Sequence, residues 1–75
     1  AQTIQHLFGI TRAEAKLTEM LVAGMTIEEA AMELEISKHT ARQQLKSIFE
    51  KTGTNRQSLL IKLVMSTPIW LSART

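Results

Sequence analysis

Apolar residues in this chain recur three or four positions apart, which is the spacing that places side chains on one face of an α-helix. The first such face comprises Ala13, Leu17, Met20 and Leu21. β-branched residues are scattered, so almost nothing in the pattern indicates a strand. The pattern therefore predicts an all-α domain with no β-sheet.

Helix caps divide the chain into four predicted helices. In chain order they cover residues 12–23, 27–34, 38–52 and 56–66. The capping-box pattern, a threonine followed three residues later by an acid or amide, occurs at Thr11 and Glu14, Thr26 and Glu29, and Thr54 and Gln57. Asn55 is an alternative cap for the last helix, and Gly24 and Gly53 are placed to end the first and third. We expect one compact four-helix domain over residues 1–75, with its core in about residues 8–66.

The connection between the second and third predicted helices consists of Glu35, Ile36 and Ser37. Ser37 is a favourable N-cap, and Ile36 can enter the core. A connection this short suits two helices that cross at a steep angle, which is the geometry of a helix-turn-helix. Ala30 and Ala31, in the buried stripe of the second helix, would let the neighbouring helix approach closely.

The third predicted helix has an apolar side and a polar side. The apolar side comprises Ala41, Leu45, Ile48 and Thr52, with Phe49 at its margin. On the polar side, Arg42 and Lys46 suit guanine O6 and N7, and Gln43 suits adenine N6 and N7. We therefore expect Arg42, Gln43 and Lys46 to read base edges in the major groove of double-stranded DNA.

Contacts to the DNA backbone are expected at both ends of this helix. Lys38, His39 and Thr40 lie in its first turn, where free backbone N–H groups also favour a phosphate. Lys51 and Arg56 lie near its far end and are further candidates for phosphate contacts.

The distribution of charge agrees with a polyanionic partner. Residues 1–35 hold two cations and six anions, a net charge of −4, whereas residues 36–75 hold seven cations and one anion, a net charge of +6. The second half alone could attract DNA. An ordinary solvated helix face would show the same charges, so the short turn and the polar face of the third helix carry more weight.

Four segments of the chain together resemble the LuxR-type (GerE-type) helix-turn-helix of bacterial transcription regulators. They are residues 10–14 (ITRAE), 24–26 (GMT), 29–42 (EAAMELEISKHTAR) and 48–56 (IFEKTGTNR). The resemblance spans roughly residues 8–65. It implies a four-helix domain in which the second and third helices form the helix-turn-helix, and it implies control by an N-terminal sensor or phosphoacceptor domain.

The resemblance also implies roles for individual residues. Arg42, Gln43 and Lys46 match positions that face base edges. The positions that contact or orient the DNA backbone are matched by Thr40, Lys51, Asn55 and Arg56. Glu14 matches a structural acid, for which Arg56 is the expected partner. The chain departs from the family pattern at Ala30, Ala41, Gln44 and Thr52; the two alanines thin the core, and none of the four is needed at the groove.

The fourth predicted helix carries apolar residues on more than one face. A terminal helix in a small domain has one face to bury against its own core, so the excess predicts a second surface. The resemblance likewise implies a dimer formed through this helix. The expected interface residues are Leu60, Ile61, Val64 and Met65. Alternatively, residues 4–8 or 69–71 of the same chain cover this helix.

The expected function is regulation of transcription by a homodimer on an inverted DNA repeat, with RNA polymerase as a further candidate partner. The chain lacks cysteine and aspartate, and its two histidines, His6 and His39, have no metal-ligand spacing. We therefore expect no enzyme, metal, cofactor or small-molecule ligand. The alternative is a helical module that binds a protein through its fourth helix and never contacts DNA.

The chain shows neither a signal peptide nor an apolar run of the ~18 residues that a membrane span needs. Together with the absence of cysteine, this predicts a cytoplasmic protein without a membrane partner. The first residue is not methionine, so we interpret the chain as the C-terminal part of a longer regulator.

Overall fold

Residues 2–66, the part of the chain that the computed structural model describes, form five α-helices and no β-strand. The helices are α1 (Gln2–Phe8), α2 (Arg12–Val22), α3 (Ile27–Leu34), α4 (Lys38–Thr52) and α5 (Gln57–Met65). The all-α prediction is confirmed, and the four predicted helices correspond to α2 to α5. Helix α1 was not predicted, because two turns contain too few apolar positions to reveal a helical period.

Local capping determines where α2, α3 and α4 begin. The Thr11 hydroxyl accepts a hydrogen bond from the Glu14 amide at 3.1 Å, and the Glu14 carboxylate accepts one from the Thr11 amide at 2.8 Å. Thr26 and Glu29 form the same capping box at 3.0 and 2.8 Å. Ser37 caps α4 by accepting from the Thr40 amide. These predictions are confirmed.

The start of α5 differs from the prediction. Arg56 is its N-cap, in extended conformation, and makes no side-chain capping bond. The Thr54 hydroxyl instead lies 2.9 Å from the Thr52 hydroxyl at the end of α4. The capping role predicted for Thr54 or Asn55 is therefore wrong. The Thr54 hydroxyl contacts the end of the preceding helix, and Asn55 and Arg56 form the turn that leads into α5.

Helix α2 is the centre of the packing and contacts α1, α3, α4 and α5. Its Leu17 and Leu21 are fully buried. The same core cluster contains Ile48 of α4 and Leu60 and Val64 of α5. Because α5 packs on α2 in this way, one side of α5 is already covered within the monomer.

The set of α2 residues that was predicted to be buried is correct in part. Ala13 is exposed, so its predicted place in the core is wrong. Ala15 and Thr18 are buried instead, and the Thr18 hydroxyl donates to the Glu14 carbonyl oxygen at 2.8 Å. A helix with neighbours on several sides buries a wider face than a stripe of apolar residues indicates.

Helices α3 and α4 are joined by the three predicted residues and pack directly against each other. Ala30, Ala31 and Ala41 are fully buried at this contact or beside it, as their small side chains suggest. The arrangement is consistent with a helix-turn-helix. It presents α4 at the surface with one side anchored.

The turn between α3 and α4 contains a residue in an unfavourable backbone conformation. Glu35 has φ 57° and ψ 42°, in the left-handed region. Gly53 occupies the corresponding position after α4, with φ 73°. For a residue with a Cβ atom the left-handed conformation costs about 1–2 kcal/mol, so the turn forms at the expense of local strain.

Candidate nucleic-acid interface

The outer face of α4 brings together the residues predicted to read bases. Arg42, Gln43 and Lys46 are all exposed. Ala41 and Ile48, on the opposite side of the helix, have no exposed surface. The anchoring side of the helix is therefore separate from the side that is open to a partner. We refer to the open side, which carries Arg42, Gln43 and Lys46, as the α4 face.

The first turn of α4 continues the α4 face. Lys38 and His39 are exposed, and Thr40 is half-buried. The Ser37 hydroxyl donates to the Thr40 hydroxyl at 2.9 Å and accepts from the Thr40 amide at 3.0 Å. The Lys38 and His39 amides are among the first of the helix and have no partner within it, so they could donate to an anion at this end.

Arg42 forms an ion pair with a residue of α3. Its Nη2 atom lies 3.1 Å from Glu28 Oε2, and the side chains of Arg42 and Glu28 are 60% and 43% exposed. Sequence reasoning did not anticipate this ion pair, because the two residues are 14 positions apart. The remaining N–H groups of the guanidinium are available for a ligand on the α4 face.

Lys51, predicted to contact phosphate, is bound within the chain. Its Nζ atom donates to Glu14 Oε1 at 2.9 Å, and only 7% of the Glu14 side chain is exposed. Lys51 thus joins the last turn of α4 to the first turn of α2. The expected pairing of Glu14 with Arg56 is wrong, because Lys51 on α4 reaches this carboxylate, and Arg56 is exposed.

The surroundings of Glu14 change the acidity of its carboxyl group. Burial by itself raises the pKa of the Glu14 carboxyl, but hydrogen bonds from the Ser47 and Lys51 side chains and from the helix cap lower the pKa from 4.5 to about 2. The carboxylate is therefore charged at neutral pH and pairs with the ammonium of Lys51, whose side chain is still 37% exposed. The phosphate contact expected of Lys51 would have to compete with this ion pair.

Asn55 and Arg56 lie in the connection between α4 and α5, and both are exposed. They form a second polar site beyond the C-terminal end of α4. At the other side of α4, Gln44 Oε1 is buried without a hydrogen-bond partner. Gln44 is one of the positions where the chain departs from the LuxR-type pattern.

The structure corrects the predicted dimer interface on α5. Leu60 and Val64 are fully buried in the core of the monomer, so they cannot contact a second copy. Ile61 is half-buried, and Met65 is 38% exposed. Leu59, which was not predicted as an interface residue, is 37% exposed. A buried face and an exposed face of α5 are both apolar, and the periodicity alone could not distinguish them.

Residues 2–66 lack two other features, a cluster of metal ligands and a membrane-spanning helix. Within them, no three His, Cys, Asp or Glu side chains are close enough together to hold a metal ion. No helix in this range is both long enough and apolar enough to cross a membrane. Residues 69–71, one of the two alternative covers expected for α5, lie outside the described residues.

Comparisons with models of known protein families, with curated proteins and with solved structures found no match to this chain. The family resemblance therefore depends on the sequence motif, and the functional conclusion depends on the α4 face.

Proposed function

We propose that this chain is a LuxR-type helix-turn-helix domain that binds double-stranded DNA and regulates transcription in bacteria. Helix α4 enters the major groove with Arg42, Gln43 and Lys46 toward the base edges. The observation that supports this most strongly is that all three side chains are exposed on one face of a helix whose other side carries the fully buried Ala41 and Ile48.

The surroundings of α4 supply the backbone contacts that such docking needs. Lys38, His39 and Thr40 hold the N-terminal end of the helix on one DNA strand. Asn55 and Arg56 reach a phosphate beyond its C-terminal end, with Lys51 as a minor contributor. Glu50 is exposed on α4 two turns after Arg42, where the helix leaves the groove, so its negative charge is tolerated.

Two copies bind an inverted repeat whose half-sites lie roughly one helical turn apart. The dimer contact uses the surface that α5 leaves exposed, which includes Ile61 and Met65. A longer cytoplasmic regulator would carry this domain at its C-terminus, with RNA polymerase as a further partner. No enzyme activity, cofactor or small molecule belongs to the domain in this proposal.

The alternative function is a helical module that binds a protein through α5. Exposed Leu59 and Met65 favour it. The burial of Leu60 and Val64 within the monomer speaks against it, because little apolar surface remains for a protein that would have to bind through this helix alone.

The test measures binding of the chain to labelled duplex DNA by fluorescence anisotropy. Affinity should fall steeply between about 50 and 200 mM salt, because phosphate contacts release counterions. The double variant Arg42→Ala, Lys46→Ala should bind at least about tenfold more weakly, since good base contacts contribute about 1–3 kcal/mol each.

Helix α2 offers a matched control, Arg12→Ala with Lys16→Ala. These residues are exposed, of the same types and at the same spacing, so the control removes the same charge from a different face. Equal losses in the two double variants would mean that binding is nonspecific attraction to positive charge. A folded Arg42, Lys46 variant that binds as the parent does would refute the assignment of α4.

A further inference from the structure

The pair formed by Glu28 and Arg42 joins α3 to the α4 face. Arg42 Nη2 and Glu28 Oε2 are 3.1 Å apart, and both side chains have contact with solvent. An ion pair this exposed contributes little to folding stability. Its position raises a different possibility, because Arg42 is one of the two residues, with Lys46, that suit guanine in the proposed function.

Glu28 is itself well positioned to hold another side chain. It lies in the first turn of α3, where the helix dipole favours a carboxylate. The Thr26 capping box fixes the start of this helix. Burial of Ala30 and Ala31 ties α3 into the body of the domain, so the Glu28 carboxylate is held relative to α4.

The chemistry of arginine makes this contact useful. Guanidinium is planar and presents five N–H groups in a fixed fork. When one group is held by a carboxylate, the plane is oriented and the long side chain loses freedom before a ligand arrives. The remaining groups can then meet a planar pair of acceptors, such as O6 and N7 of guanine, with little further ordering.

We propose that Glu28 is a specificity-determining residue, which orients Arg42 toward a guanine in each half-site. This inference rests on the proposed function and adds to it the base that is read and the residue on α3 that makes the reading selective. A carboxylate that only repelled phosphate would lower affinity for all DNA sequences alike. An orienting carboxylate instead increases the difference between guanine and the other bases.

The test begins with duplexes that the parent chain selects from a random DNA pool. The position read by Arg42 is the one at which Arg42→Ala abolishes the base preference. Four duplexes that differ only at this base pair are then titrated with the parent and with Glu28→Gln. The parent should prefer guanine by about tenfold or more, and Glu28→Gln should reduce that preference at least about fivefold, even if its affinity for all four duplexes rises.

Glu33→Gln is the matched control. Glu33 is an exposed glutamate on the same helix, so its substitution removes the same charge. It should leave the guanine preference unchanged. In the Arg42→Ala background, Glu28→Gln should no longer alter base preference, because the side chain that it orients is absent.

The inference is overturned if Glu28→Gln binds all four duplexes more tightly by one common factor, since Glu28 would then act only by repulsion. It is also overturned if Glu33→Gln reduces the preference as much. In both cases DNA binding by the parent would stand. If the pool yields no enriched duplex, the proposed function fails and this inference fails with it.

Discussion

Substitution of Glu14 by glutamine tests how the buried ion pair stabilises the domain. Glutamine has nearly the same shape and can keep the capping box, because Gln is accepted at this position. It cannot form the charged contact with Lys51, which is 2.9 Å away in the parent. The substitution thus removes the charge of a buried carboxylate and little else.

The expected loss of stability can be calculated from the pKa of the Glu14 carboxyl group. A pKa of about 2 in place of 4.5 corresponds to roughly 3 kcal/mol of stabilisation of the charged form in the folded state. Because the pKa is lowered by folding, this contribution is complete above about pH 5 and is lost as the pH falls toward 2. We expect Glu14→Gln to lower the free energy of unfolding by about 2 kcal/mol at neutral pH, since the amide keeps part of the hydrogen bonding.

The assay is urea unfolding followed by circular dichroism at about pH 6 and about pH 2.5. The difference in stability between parent and Glu14→Gln should shrink by roughly 2 kcal/mol, to near zero, between these two values. The unfolded parent, with a carboxyl pKa of 4.5, takes up a proton in this interval, whereas the folded parent, with a pKa of about 2, stays largely charged. Glu33→Gln, which changes an exposed carboxylate, corrects for the general loss of negative charge. A difference between parent and Glu14→Gln that stays constant with pH would refute the reasoning, even if the variant were less stable.

Two further predictions concern the turn before α4 and the surface of α5. The Glu35→Gly variant should be more stable than Glu35→Ala by about 1 kcal/mol in urea unfolding. Both substitutions remove the charge, but only glycine adopts the left-handed conformation without strain. Equal stabilities would show that this strain is absent. Leu60→Ala should lower the free energy of unfolding of the monomer by about 3 kcal/mol, as for a core leucine. Met65→Ala should change that free energy by less than about 0.5 kcal/mol. It should weaken binding to a duplex with two half-sites more than binding to a single half-site. Equal loss on both duplexes would contradict a dimer contact at Met65.

The parts of the fold that could be predicted from the sequence are those encoded by neighbouring residues. Thr26 and Ser37 determine where α3 and α4 begin, and their hydrogen bonds span three residues, so both helices were predicted with their observed bounds. The α4 face was predicted for the same reason. Its side chains follow one another at helical spacing, and their exposure does not depend on a distant contact.

The contacts that were missed join residues far apart along the chain. Lys51 and Glu14 are separated by 37 positions, and nothing local distinguishes Lys51 from Arg56 as the partner. The apolar residues of α5 posed a similar problem. The sequence shows that several faces are apolar, but the position of α2 decides that Leu60 and Val64 are covered.

Helix α4 is restrained at both ends, and this has a consequence for the thermodynamics of binding. The Ser37 cap and the short turn hold its first residues, and the Lys51 to Glu14 contact holds its last turn. A surface held in this way need not fold when it meets its ligand. Titration calorimetry of DNA binding should therefore give the heat-capacity change expected from the apolar area buried in a contact between two rigid surfaces. It should not give the larger negative value that accompanies the folding of a segment on binding.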